Sequence, residues 1–277
     1  MMKNIVITPA VGIELDSAEF FIKTLRQYYQ DDVFVLISNS DYKLKEIFAA
    51  YNCKFYEVDI HKYDVQLKRY KYFLEILNKN KNYDKVFFCD CRDIYFQSNP
   101  FEYDYKGTIN FFLEDTKINK CEHATRWITK TFGDKIYNEL RDKTISCGGT
   151  VLAKYDDMIK WLSLMDKLIL QYPYKRKLKY LLTFRRDSNG RGCDQAHGNY
   201  IAYNNYFKNS FLYSNKDGPI ATVYYLKKIK FNDRSQLVNS IGKPYAVVHQ
   251  YDKRWSEFSE KVNLLRTNLN ITKSESR

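Results

Sequence analysis

The sequence predicts an α/β domain built on a mostly parallel sheet flanked by helices, and three observations carry that expectation. Short apolar runs alternate with segments of helical period. The runs are continuously apolar rather than alternating, as strands covered on both faces are. No Pro-, Gly- or Ser-rich linker divides the 277 residues. One domain is therefore expected over residues 1–266, with a flexible tail over 267–277.

Ile5-Val6-Ile7 reads as the first buried strand. Asp16 with Glu19 three residues later resembles a capping box, and Ala18, Phe21, Ile22, Leu25 and Tyr28 then recur at helical spacing. Val33 to Ile37 and Phe55 to Val58 are the second and third strands. Tyr70, Phe73, Leu74 and Leu77 line one face of a helix that ends in the polar loop Asn78 to Asn82. Val86 to Cys89 is a fourth strand running into acidic residues. Further on, Ile109 to Leu113 and Thr150 to Ala153 read as strands. Met158, Trp161, Leu162, Met165 and Ile169 form an amphipathic helix face. Gln195 to Phe207 reads as a helix with Asp194 at its N-cap, and Tyr245 to Val248 as a late strand. Ligands of parallel sheets bind beyond the carboxyl ends of the strands, so polar residues there carry the most functional weight.

Charge narrows the partners. Forty-five Lys and Arg against 33 Asp and Glu leave a net +12 and a pI near 9.2, which favours anionic ligands or surfaces. The basic residues cluster at Lys175-Arg176-Lys177-Leu178-Lys179 with Arg185-Arg186, and at Lys227-Lys228-Ile229-Lys230. Most such runs are solvated faces; peripheral membrane contact or docking of a lipid-linked acceptor is the functional reading. Zinc-finger spacing, a helix-turn-helix pattern and a single-strand-binding motif are all missing. Nucleic acid is thus not an expected partner, and a basic nucleic-acid-binding protein is kept only as an alternative from another class. Six scattered cysteines without a C-x-x-C pair suit reduced thiols, and no apolar run approaches the roughly 20 residues of a membrane span. With no signal-peptide pattern at the start, the expected place is the cytoplasm or the cytosolic face of a membrane. The 25 tyrosines suit either a compositional bias or sugar stacking.

The chemistry is concentrated in Asp84 to Phe101. An apolar strand delivers Asp90 and Asp93 to its carboxyl end, where two carboxylates can hold a hard divalent ion through oxygen ligands. On an ideal strand the two side chains point apart, so they converge only if the chain turns after Asp90. Asp90-Cys91-Arg92-Asp93-Ile94-Tyr95-Phe96-Gln97-Ser98-Asn99-Pro100-Phe101 resembles the metal-binding aspartate motif of GT-A glycosyltransferases, in the form D-x-R-D-x-x-F-Q-x-x-P-F. Arg92 stands where the commoner D-x-D pattern has its second acid, which leaves open whether Asp90 or Asp93 touches the metal.

That resemblance, spread over residues 3 to 255, implies a single GT-A-like (Rossmann-like) domain. The implied reaction moves a sugar from a nucleoside-diphosphate sugar, UDP-linked by preference, to the hydroxyl of a glycan or lipid-linked acceptor. It also implies Mn²⁺ or Mg²⁺ as cofactor, with His249 after the late strand as a third metal ligand beside Asp90 and Asp93. An imidazole among oxygens favours manganese. The small-residue turn at Gly148-Gly149, placed just before a strand, resembles the lining of a sugar pocket. Asp194 and Gln195 resemble the acceptor-side segment, where Asp194 is a candidate general base; His197 is a weaker candidate. Thr8, Pro9 and Ala10 match the place of the nucleotide base and ribose. Arg69 matches a donor-binding arginine, Arg92 is a further donor-site residue, and Lys243 or Lys253 is a cation for the diphosphate, of which Lys253 is the one assigned. Glu114 and Asp115, after the strand beginning at Ile109, offer a further base, of which Asp115 is the one assigned. A nucleotidyltransferase is the nearest enzyme alternative. It would want a Gly-rich basic loop after the first strand, where residues 8–14 offer one glycine and no base.

Overall fold

The computed structural model describes residues 3–174 and 192–271. In chain order the first half holds β1 (Lys3–Pro9), α1 (Leu15–Arg26), β2 (Asp32–Ser38), α2 (Tyr42–Ala49), β3 (Lys54–Val58), α3 (Val65–Lys79), β4 (Tyr83–Cys89), β5 (Ile94–Phe96) and β6 (Ile109–Lys117). Then come α4 (Glu122–Phe132), α5 (Asp134–Leu140), β7 (Thr144–Lys154), α6 (Tyr155–Gln171), α7 (Asp194–Tyr203), β8 (Ser210–Tyr213), β9 (Ile220–Thr222), β10 (Val247–His249) and α8 (Trp255–Asn268).

Seven strands form a sheet in the order β3-β2-β1-β4-β7-β6-β8. Pairing is parallel except around β7, which runs antiparallel to both β4 and β6. The continuous apolar runs have the physical cause the sequence suggests. Ile5, Ile7, Phe34, Leu36, Val86 and Phe88 face one side, against Tyr70, Phe73 and Leu77 of α3 and Trp161, Leu162 and Met165 of α6. Their neighbours Val6, Val33, Val35, Ile37 and Phe87 face the other, against Phe21, Ile22 and Leu25 of α1 and Phe48 of α2. Both faces are buried, so period-2 polarity disappears.

A second sheet, ordered β5-β10-β9, lies beyond the end of β4. Its strands have three residues each, and its own core joins Tyr95 and Val248 to Phe20 of α1 and to Phe258 and Val262 of α8. Gln97 ties it together: its amide nitrogen donates to the carbonyls of Leu237 and Tyr245, and its oxygen accepts from the Leu237 N–H. The Gln of the aspartate segment is thus a scaffold residue.

Several expectations are corrected. The N-cap of α1 is Glu14; Asp16 sits in the first turn and pairs with Arg266 at 2.5 Å. Helix α7 is capped by Cys193 and ends at Tyr203, short of Phe207, and Asp194 is its first residue. The late strand is Val247–His249 and belongs to the second sheet. Helix α8 runs past Thr267, Ile271 beyond it is buried, and Lys23 donates to the Leu269 carbonyl, so the chain is still packed where the composition suggests a tail. The basic cluster from Lys175 to Arg186 lies outside the described residues.

Candidate metal centre

Two pieces of strand geometry bring the acids and the histidine together. The chain turns directly after β4 and re-enters the second sheet at Ile94, which removes the strand parity that would send Asp90 and Asp93 apart. In that sheet His249 stands opposite Ile94, and the Gln250 N–H donates to the Asp93 carbonyl, so His249 arrives beside Asp93 by register. The His249 Nε2 lies 3.5 Å from Asp90 Oδ2 and 3.4 Å from Asp93 Oδ1. One ligand atom from each of the three residues falls within 4.8 Å of the others.

Each acid keeps one oxygen for this meeting and commits the other. Asp90 Oδ1 takes a charge-assisted bond of 2.5 Å from Arg69, and Asp93 Oδ2 one of 3.1 Å from Arg92. Burial works against ionising either carboxyl. Arg69 and His249 nevertheless hold Asp90 below the usual carboxylate range, and His249 and Arg92 hold Asp93 below it. His249 is 1% exposed, and its Nε2 has no aligned hydrogen-bond partner. Its Nδ1 is 3.3 Å from the Cys147 sulfur. The tautomer with Nδ1–H donating to that sulfur leaves the Nε2 lone pair aimed at the two carboxylate oxygens. Burial opposes a charged imidazole here, but Cys147 and the two aspartates raise its affinity for a proton well above the ordinary value. A cation at the same point would be favoured by the same charges, and proton and metal compete for Nε2.

Gly149 makes the space. Its carbonyl accepts from the Asp90 N–H at 2.8 Å, and an added Cβ would collide with the Asp90 carboxylate and lie 2.6 Å from His249 Cε1. Gly148 and Gly149 do not precede a strand; they sit inside β7, where its pairing with β6 slips between Ser146 and Val151. A bulge at that place re-aims the backbone toward the site.

Arg69 is buried, stacked 4.8 Å over the Phe88 ring, and bridges three groups: Asp90, the Gly148 carbonyl at 3.2 Å and Asp194 at 2.8 Å. Asp194 Oδ2 also accepts from the Tyr70 hydroxyl at 2.7 Å, and the N-cap position itself is held by Cys193. Asp194 therefore holds Arg69 in place rather than capping α7.

A cavity of about 360 Å³ opens over the centre, and Pro9, Arg69, Asp90, Arg92, His249 and Lys253 are among its walls. Thr8 and Ala10 are fully buried behind it. The sequence reading overlooked Lys62, Gln66 and Trp127, which also line it; no local pattern marks them, because helical and loop residues reach this point only through the fold. Lys243 is exposed and is not part of this wall.

Next to it lies a second cavity of about 400 Å³, which shares Trp127, Gln250 and Lys253 and adds Glu114 and Gln195. Gln195 donates to Glu114 Oε1 at 2.8 Å. Burial pushes the Glu114 carboxyl up to about 7, against the pull of Gln195 and His249. Asp115, one step along β6, turns the other way, accepts from Asn215 at 3.2 Å, and lines neither cavity. His197 packs on Phe132 and lies 2.9 Å from the Tyr172 carbonyl, away from the centre. None of the six cysteines forms a disulfide, and all are buried.

Among the described residues no helix is long and apolar enough to cross a membrane. No protein-family model matches the chain, and no curated protein matches it.

Proposed function

We propose that this chain is a metal-dependent glycosyltransferase of GT-A type, acting on a nucleoside-diphosphate sugar with UDP as the preferred nucleotide. The observation that carries the reading is the meeting of Asp90, Asp93 and an unpartnered His249 Nε2 at the carboxyl end of β4. Two carboxylate oxygens and one imidazole form a donor set suited to Mn²⁺. When bound, the ion supplies Lewis-acid stabilisation of the charge that grows on a departing diphosphate.

The remaining work falls to side chains. Arg92, paired with Asp93 and Asp252, and Lys253, paired with Asp252, line the cavity as cations for the diphosphate, where removing one such contact typically costs about 3 kcal/mol of transition-state stabilisation. Arg69 fixes the orientation of Asp90. Glu114, in the adjoining cavity, replaces Asp115 and Asp194 as the acid suited to accept the acceptor's proton, because its burial sets its affinity for a proton near neutrality. Gln195 orients it.

A thermal-shift screen of nucleoside diphosphates with and without Mn²⁺ tests the reading. A manganese-dependent rise with UDP is expected, absent in Asp93→Ala and in His249→Ala. A manganese response that survives in both variants refutes the ligand set.

A further inference from the structure

We infer that the large lysine-rimmed cavity beyond β6 binds the phosphorylated head of an amphiphilic acceptor. This rests on the glycosyltransferase reading only for the word acceptor; the binding site itself stands apart from it. The cavity measures about 1160 Å³, far more than one sugar ring needs. It lies between the end of β6, the turn after β8 and the segment from Leu226 to Lys230. Five lysines border it: Lys117, Lys216, Lys227, Lys228 and Lys230. Among the described residues none of them has an ion pair, whereas Lys23, Lys45 and Lys54 each do. The only acids among the described residues at its edge, Glu114 and Asp115, are outnumbered by the five lysines and bond to the amides of Gln195 and Asn215. Concentrated net positive charge over a concave surface selects an anion.

The walls say more than charge. Leu226, Ile229, Val238 and Tyr245 make much of the surface apolar, and the lysine stems extend it while their ammonium groups stay at the rim. A free phosphate uses only the rim. A phosphate or diphosphate ester with a hydrocarbon tail uses both parts. Position gives the role. Glu114 is common to this cavity and to the one holding Gln195, and that one shares Trp127, Gln250 and Lys253 with the metal cavity. The three cavities thus follow one another, and a ligand held in the largest presents its far end toward Glu114.

Calorimetric titration of the full chain in EDTA, without donor, tests this with inorganic pyrophosphate and with decyl diphosphate below its micelle concentration. The alkyl ester is expected to bind about tenfold more tightly than pyrophosphate. Lys227→Ala/Lys228→Ala/Lys230→Ala should weaken both by about tenfold or more, and the single exposed change Lys228→Glu should weaken both without unfolding the chain. The equally charged control Lys71→Ala/Lys81→Ala/Lys167→Ala and the metal-site variant Asp93→Ala should stay within about threefold of the wild type. Equal binding of the two probes overturns the inference, as does equal weakening in the control, or loss in Asp93→Ala, which would put the anion in the metal cavity. Because neither metal nor nucleotide is present, failure of the glycosyltransferase reading would leave this result unchanged.

Discussion

Gly149 shows how much of the centre depends on a missing methyl group. An alanine there would press on the Asp90 carboxylate and on the His249 ring, which is buried and has no room to move aside. Gly149→Ala is expected to abolish the manganese-dependent stabilisation and to cost about 1–3 kcal/mol in urea unfolding. Gly148→Ala, whose nearest new contact is 3.3 Å away at Gln195, should do less. Glu114 makes a second, signed expectation. Its carboxyl titrates near 7 in the fold against an ordinary 4.5. Between those values the folded chain keeps a proton that the unfolded chain has released. The stability tied to that proton is complete below pH 4.5 and is lost as the pH rises through 7. Glu114→Gln should therefore be more stable than the wild type at pH 8, by on the order of 3 kcal/mol, and nearly equal to it at pH 4.5; denaturation at the two pH values measures both. At this scale the sequence was a partial guide. Asp90 and Asp93 stood out by their place after an apolar strand. Sequence alone does not favour Glu114 over Asp115, because strand parity at that point is not visible without knowing which face of β6 meets Gln195. Asp194 looked like a cap because the demand of a buried Arg69, more than a hundred positions away, leaves no local trace.

Among the elements, length decided what could be read. β1, β2, β4, α1, α3 and α6 each bury enough residues at a fixed period to announce themselves. Helix α2 buries only Leu44 and Phe48, a stripe too sparse to stand out from loop composition. The three-residue strands β5, β9 and β10 are shorter than any alternation that could reveal them. The second sheet accordingly owes its stability to what covers it. Phe258 of α8 is fully buried against Phe231, Val248 and their neighbours, while Leu264 on the same helix is half exposed. Phe258→Ala should cost about 3–5 kcal/mol in chemical denaturation. Leu264→Ala should stay within about 0.5 kcal/mol of the wild type.

Across the whole molecule, the α/β class and the mostly parallel sheet followed from patterning alone, because burial on both faces imprints the inner strands β1, β2 and β4. The assembly of the centre did not. Asp93 and His249 are brought together by a register in a sheet that the pattern does not show, and His249 was singled out by its resemblance to a family rather than by spacing. The net charge of +12 was visible at once, but its arrangement around one concavity needed the fold, since Lys117, Lys216 and Lys227 to Lys230 come from three distant segments.

Asp90 directly follows a strand of the seven-stranded sheet, whereas Asp93 leads into a strand of the three-stranded one and His249 ends another. An ion gripped by all three would act as a rivet between two plates, adding its binding energy to their cohesion. Chelation would then loosen a joint as well as remove a reagent, and a defect in the small plate, such as one under α8, would be felt first as weakened grip on the metal.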